Sequence, residues 1–172
     1  MIKKLHAAMQ GKLFWISLIL LGLALEGVAV YYQYVLNEPP CILCIHFRLL
    51  LVLLILFSLF GLFFRKNRAG RLIVSGALFL TFAGMCERAY QLLGTEKGFV
   101  KGECAATLNF PEWIAVDKWM PSFFEPWTSC GYTPKLFFNI TMAEALSVFS
   151  VVMLLLAIMM LIAGLRRSEQ EY

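Results

Sequence analysis

Pro39-Pro40-Cys41-Ile42-Leu43-Cys44-Ile45-His46-Phe47-Arg48 decides how this chain is to be read. Proline fixes φ and donates no hydrogen bond, so the backbone is extended through Pro39-Pro40 and turns helical only at about Cys41. Cys41 and Cys44 then fall in the first turn of a helix, where unpaired N–H groups and the helix dipole favour negative charge on sulfur. Arg48 follows four residues after Cys44, on the same face one turn deeper. A thiolate with a fixed cation beneath it is reactive. The plainer reading is two cysteines that prefer apolar surroundings and an arginine that snorkels to the surface. The coincidence of the CxxC spacing, the helix start and the arginine favours the first reading.

Outward from this stretch the chain is strongly apolar. Of 172 residues, 60% are hydrophobic and 15% are charged, with a net charge of +4. That is too apolar for a soluble domain of this size, and no basic patch dense enough for nucleic acid remains outside the apolar runs. The fold class expected is all-α: a bundle of four transmembrane helices forming a single integral membrane domain, 1–172. The spans are expected at about 13–36, 45–64, 72–93 and 142–165, with outer loops at 37–44 and 94–141. Each run approaches or exceeds the ~20 residues that cross a bilayer core. The first run is too long for the apolar region of a signal peptide. It ends in Tyr31, Tyr32 and Tyr34, which suit a membrane interface, so it reads as an uncleaved helix.

The basic residues set the orientation. Lys3, Lys4, Lys12, Arg65, Lys66, Arg68, Arg71, Arg166 and Arg167 lie on one side, nine in all. The long opposite loop sets Lys97, Lys101, Lys118 and Lys135 against Glu96, Glu103, Glu112, Asp117 and Glu125. The positive-inside bias predicts cytoplasmic termini and a cytoplasmic 65–71 turn. Cys41, Cys44, Cys104 and Cys130 then all face the other, oxidising compartment.

Cys104 and Cys130 stand in the long outer loop with 25 residues between them. A disulfide closing such a loop stabilises by roughly 3–4 kcal/mol in the chain-entropy account, so a structural bridge and a redox pair are both open readings. Between them run Phe110, Trp113, Ile114, Val116, Trp119, Met120, Phe123, Phe124 and Trp127, interleaved with Glu112, Asp117 and Lys118. Pro111 suits a helix start, and a short tryptophan-rich amphipathic helix here would lie in the membrane interface.

Ionisable groups inside spans need a partner or a purpose. Glu26 falls near the middle of the first run, where a hydrogen bond to a polar group on a neighbouring helix competes with a role in proton handling. Glu87 and Arg88 read as structural. His46 points to a different helix face from Cys44, and Cys86 reads as a small buried hydrophobe.

Two cysteine pairs outside the membrane, one loop-borne and one at a helix start, suggest a disulfide relay. A partner thiolate attacks the loop pair, and a freed loop thiolate attacks the Cys41–Cys44 pair. The electrons must then leave, and the chain carries no haem motif or dinucleotide fingerprint. A lipid-soluble two-electron acceptor at the apolar boundary by Cys44 fits, with Arg48 holding the negative charge that develops on it.

These features resemble the DsbB family of bacterial inner-membrane disulfide-forming proteins. The matching residues are Pro40-Cys41-Ile42-Leu43-Cys44 with Arg48, Glu26, Cys104, Phe110-Pro111-Glu112-Trp113, Asp117-Lys118-Trp119 and Cys130. The likeness covers essentially the whole chain. It implies reoxidation of a periplasmic DsbA-like thioredoxin-fold oxidase, with Cys104 pairing with the partner's cysteine and Cys130 passing oxidation between loops. It also implies that Cys44 faces ubiquinone or menaquinone beside Arg48. One departure is Gln91, where some members carry a histidine near the quinone. The rival readings are a DsbI-like paralogue with a dedicated partner, a metal-binding membrane protein using its cysteines with His46, and an assembly subunit with inert disulfides.

Overall fold

A computed structural model describes residues 7–100, 133–134 and 140–166. Cys104, Cys130 and the amphipathic helix expected after Pro111 lie outside the described residues. Among the described residues, four long helices carry the fold: α1 (Lys12–Tyr34), α2 (Ile42–Phe64), α3 (Arg68–Lys97) and α4 (Met142–Arg166). All four are long and apolar enough to cross a membrane. With 23 residues each, α1 and α2 rise about 35 Å, just over the ~30 Å of a hydrocarbon core. The chain is an all-α, multi-pass membrane protein.

The helix ends follow local chemistry. Beyond α1, Val35 N–H donates to Tyr31 O and Glu38 N–H to Tyr32 O. Asn37 takes φ 53° between them, a left-handed position that asparagine tolerates. Pro39 and Pro40 keep the backbone extended until Cys41 caps α2 at φ −83°, ψ 167°. The helix therefore starts at Ile42, three residues before the expected span.

The third helix departs most from expectation. It begins at Arg68 rather than 72, because Asn67 caps it by accepting from Ala69 N–H at 3.1 Å. Helix termini tolerate the charged residues that a membrane core rejects, so two of the basic residues expected in the turn wind into the first turn of α3. At its far end α3 runs through Lys97, four residues into the expected outer loop. Gly98 stops it at φ 79°, where glycine carries no Cβ penalty, and Phe99 and Val100 N–H both return to Gly94 O.

Successive helices pack pairwise, α1 on α2, α2 on α3 and α3 on α4. Trp15, Leu54, Leu78, Phe82, Met85 and Met160 are fully buried at the centre. Small residues set the spacing. Gly61 lies against the ring of Trp15, and the indole is held by its Nε1–H donating to Met9 O at 2.8 Å. Facing outward, Leu13, Phe63, Ile73 and Leu80 are each at least 70% exposed, which suits lipid tails and not water.

Candidate functional site

The site is built on the first two turns of α2. Cys41 is its N-cap, and Cys41 Sγ accepts from Cys44 N–H at 3.4 Å, using one of the orphan donors of the helix start. The Cys41 and Cys44 sulfurs lie 2.8 Å apart. Bond formation asks for less than about 1 Å of further approach. Cys41 is buried and Cys44 half-buried, so Cys44 is the more open of the two.

One turn below Cys44, Arg48 is buried at 6% exposure. Its guanidinium reaches across to α1, where Nε donates to Glu26 Oε2 at 3.3 Å and Nη1 donates to Gln33 Oε1 at 2.6 Å. Glu26 and Gln33 are seven residues apart, two turns on one helix face, so α1 offers both acceptors side by side. The mid-span carboxylate has the neighbouring-helix partner that its position demands.

Above this clamp lies a cavity of about 190 Å³. An enclosed apolar cavity of roughly 150 Å³ holds a benzene ring, so this one has room for a substituted ring with its tail outside. Cys44, Phe47, Arg48 and Leu51 supply the α2 wall, Leu25, Val28 and Gln33 the α1 wall, and Met142, Leu146 and Phe149 the α4 wall. Glu38, Pro39, Pro40 and Pro134 line it as well. Apolar sides with a cation and a thiol on the α2 wall and an amide on the α1 wall fit a flat, apolar ring that carries polar oxygens.

A polar clasp holds the α4 side of the cavity. Glu96 Oε2, near the top of α3, accepts from Thr133 Oγ1 at 2.6 Å and from Thr141 Oγ1 at 3.0 Å. Thr141 and Glu144 form a capping box at the start of α4: Glu144 N–H donates to Thr141 Oγ1 and Thr141 N–H to Glu144 Oε2. Lys97 Nζ donates to Glu144 Oε1 at 2.7 Å. Met142 N–H donates to Pro134 O, which sets Pro134 against the cavity.

Of the residues expected at the site, Cys41, Cys44 and Arg48 come together around one cavity. Cys104 and Cys130 lie outside the described residues. His46, Cys86 and Gln91 do not line the cavity. Gln91 instead bridges its own helix, accepting from Arg88 Nη1 and donating to Glu87 Oε1, both at 3.2 Å. Sequence reasoning missed Gln33 and the α4 wall. Seven-residue spacing puts Gln33 on the face of Glu26, but nothing in the run marks that face as inward. No comparable signal marks Met142, Leu146 or Phe149 within a helix that is apolar on every side.

A sequence profile of the family described as "Disulfide bond formation protein DsbB" matches residues 11–160. "Disulfide bond formation protein B 2" of Pseudomonas aeruginosa is 33% identical over 126 residues, covering 72% of this chain and 74% of that protein. "Disulfide bond formation protein B" of Shewanella amazonensis is 31% identical over 162 residues, covering 92% and 95%. The protein of the same description from Photorhabdus laumondii is 26% identical over 163 residues, covering 95% and 96%.

Proposed function

The chain belongs to the DsbB family of disulfide bond formation proteins, and from that membership we propose that it reoxidises a soluble DsbA-like thiol oxidase and delivers two electrons to a membrane quinone. The observation that carries this reading is the single cavity shared by Cys44 and Arg48.

The relay runs through the chain's own sulfurs. A thiolate of the reduced partner attacks the Cys104–Cys130 disulfide, Cys104 taking the partner's sulfur. Cys130 then attacks Cys41 and frees Cys44. The partner's second thiol displaces Cys104 and closes the partner's own disulfide, and Cys104 displaces Cys41 from Cys130. Each exchange breaks one S–S bond and makes another. Reduced Cys41 and Cys44 are left at the head of α2. The N–H groups there and Arg48 one turn below favour negative charge on Cys44, the more open sulfur.

The cavity fits a quinone ring, with Arg48 as the polar group that would meet its oxygens and Phe47, Leu51, Leu146 and Phe149 as apolar wall. A quinone bound there takes up two electrons and two protons and leaves as quinol. Cys41 stands within bonding reach of Cys44 and closes the disulfide. Ubiquinone and menaquinone both meet these requirements. The relay places the four cysteines on the periplasmic face of the cytoplasmic membrane, with both termini in the cytoplasm.

The test is quinone loss, followed by absorbance, when purified protein receives a reduced thioredoxin-fold oxidase and a short-chain ubiquinone or menaquinone. Wild-type protein oxidises the partner and consumes quinone in equal amounts, and Cys44→Ala does neither. A wild-type protein that consumes no quinone from either class overturns the reading.

A further inference from the structure

Arg48 does not enter the cavity as a free cation. Nε is held by Glu26 and Nη1 by Gln33, and because a guanidinium is a rigid planar fork, fixing two of its nitrogens fixes its plane. The two acceptors differ in kind. Gln33 is neutral and lines the cavity, whereas Glu26 carries the opposing charge and is not among the lining residues. Glu26 therefore touches the cavity through Arg48.

Glu26 also opposes Arg48 incompletely. A carboxylate that cancels an arginine best engages it with both oxygens. Here one oxygen is used, and Glu26 Oε1 is buried with no hydrogen-bond partner among the described residues. Leaving a buried polar atom unsatisfied is costly, so a pair shaped for stability alone would close the second bond. The half-made pair leaves part of the arginine's charge directed elsewhere. Along the described cavity walls the titratable and charged groups are Tyr32 from α1, Glu38 from the turn, and Cys41, Cys44 and Arg48 from the head of α2. The α4 residues there carry none, and Arg48 is the one cation among the described lining residues.

We propose that Glu26 and Gln33 are positioning residues that fix how much positive charge Arg48 presents to the cavity, Glu26 by opposing it and Gln33 by aiming it. This rests on the reading that Cys44 and Arg48 face a quinone. Cys44 must carry negative charge to pass electrons on, and Arg48 stabilises that charge. Weakening the opposition from Glu26 therefore lets Cys44 work at lower pH, and adding a second carboxylate beside Arg48 demands higher pH.

Three variants separate charge from aim, each assayed as full-length protein in detergent with dithiothreitol as electron donor and a short-chain ubiquinone as acceptor. Glu26→Gln keeps an oxygen for Nε and removes the charge. The pH of half-maximal quinone reduction is expected to fall by about one unit, with KM for quinone changed less than about twofold. Gln33→Glu keeps the oxygen for Nη1 and adds charge, and the same pH is expected to rise by about one unit. Gln33→Leu removes the aim and leaves the charge, so KM for quinone rises at least about fivefold while the pH profile stays in place. A purely structural clamp would lower the rate equally at every pH and lower the melting temperature. The proposal is overturned when Glu26→Gln leaves the profile where it was, or when Glu26→Gln and Gln33→Glu shift it in the same direction. Should Glu26→Gln fail to fold, Gln33→Glu decides alone: an upward shift supports the proposal and an unmoved profile sinks it. A wild-type protein that reduces no quinone defeats the functional reading instead.

Discussion

Arg48 stands where two demands on one side chain meet. A buried arginine must be paired, and a cation serving a redox site must keep some of its field for the ligand. Replacing it separates the two. Arg48→Met keeps much of the side chain's volume and loses the charge, so KM for quinone is expected to rise by about tenfold or more. Thiol exchange between partner and loop pair should proceed at close to the wild-type rate. The same change strands Glu26 in the bundle, and removing one member of a buried pair costs about 3–5 kcal/mol. Melting of the detergent-solubilised variant should therefore drop by several degrees. An unchanged KM removes Arg48 from quinone binding, and an unchanged melting temperature denies the Glu26 contact its structural weight. The candidate site was legible in the sequence where chemistry is dense: two cysteines and an arginine at helical spacing mark the cavity they line. Gln33 was not, because an amide near the end of an apolar helix, among three tyrosines, reads as an interface residue. Only the fold shows it turned inward onto a guanidinium.

At the scale of helices, the spans were legible because lipid requires some twenty apolar residues in a row, and nothing else in a chain this short looks like that. Their ends were less so. Capping by Asn67 and Cys41 depends on one side chain finding one N–H, and a hydropathy run does not register that event. Two positions test how the helices touch. Gly61→Ala places a methyl group where the Trp15 ring lies, and the indole cannot yield without losing its bond to Met9 O. The better helix propensity of alanine is worth about 1 kcal/mol against a packing penalty of about 2–3 kcal/mol, the upper part of the usual overpacking range because the ring cannot yield, so a net loss near 1–2 kcal/mol is expected in a thermal melt. A Gly61→Ala protein as stable as wild type would mean that α1 and α2 do not cross there. Ser58 gives the opposite sign. Its hydroxyl is fully buried and has no partner among the described residues. Ser58→Ala should therefore stabilise by about 1 kcal/mol, and a loss of stability would reveal an acceptor that the hydroxyl needs.

For the whole molecule, the central relation is between charge and sulfur. Arg65, Lys66, Arg68 and Arg71 gather at the α2–α3 turn, while Cys41 and Cys44 begin α2 at its other end. A helix of 23 residues separates them by about one membrane thickness, so whatever fixes the basic turn in one compartment fixes the cysteine pair in the other. The positive-inside bias supplies that anchor, since basic residues beside a span are retained on the cytoplasmic side. Disulfide exchange persists only where the surroundings do not reduce it, which puts the same demand on the opposite end. In the proposed topology, the demand from insertion and the demand from redox chemistry thus point the same way. Single cysteines placed in a chain whose native cysteines are replaced by alanine make this measurable. Phe99, 58% exposed just past the end of α3, lies on the sulfur side. Phe99→Cys should react with a membrane-impermeant maleimide in intact spheroplasts. Lys66→Cys, in the basic turn, should react only once the membrane is permeabilised. The reverse pattern would place Cys41 and Cys44 among reducing cytosolic thiols, where no relay toward a periplasmic partner can start.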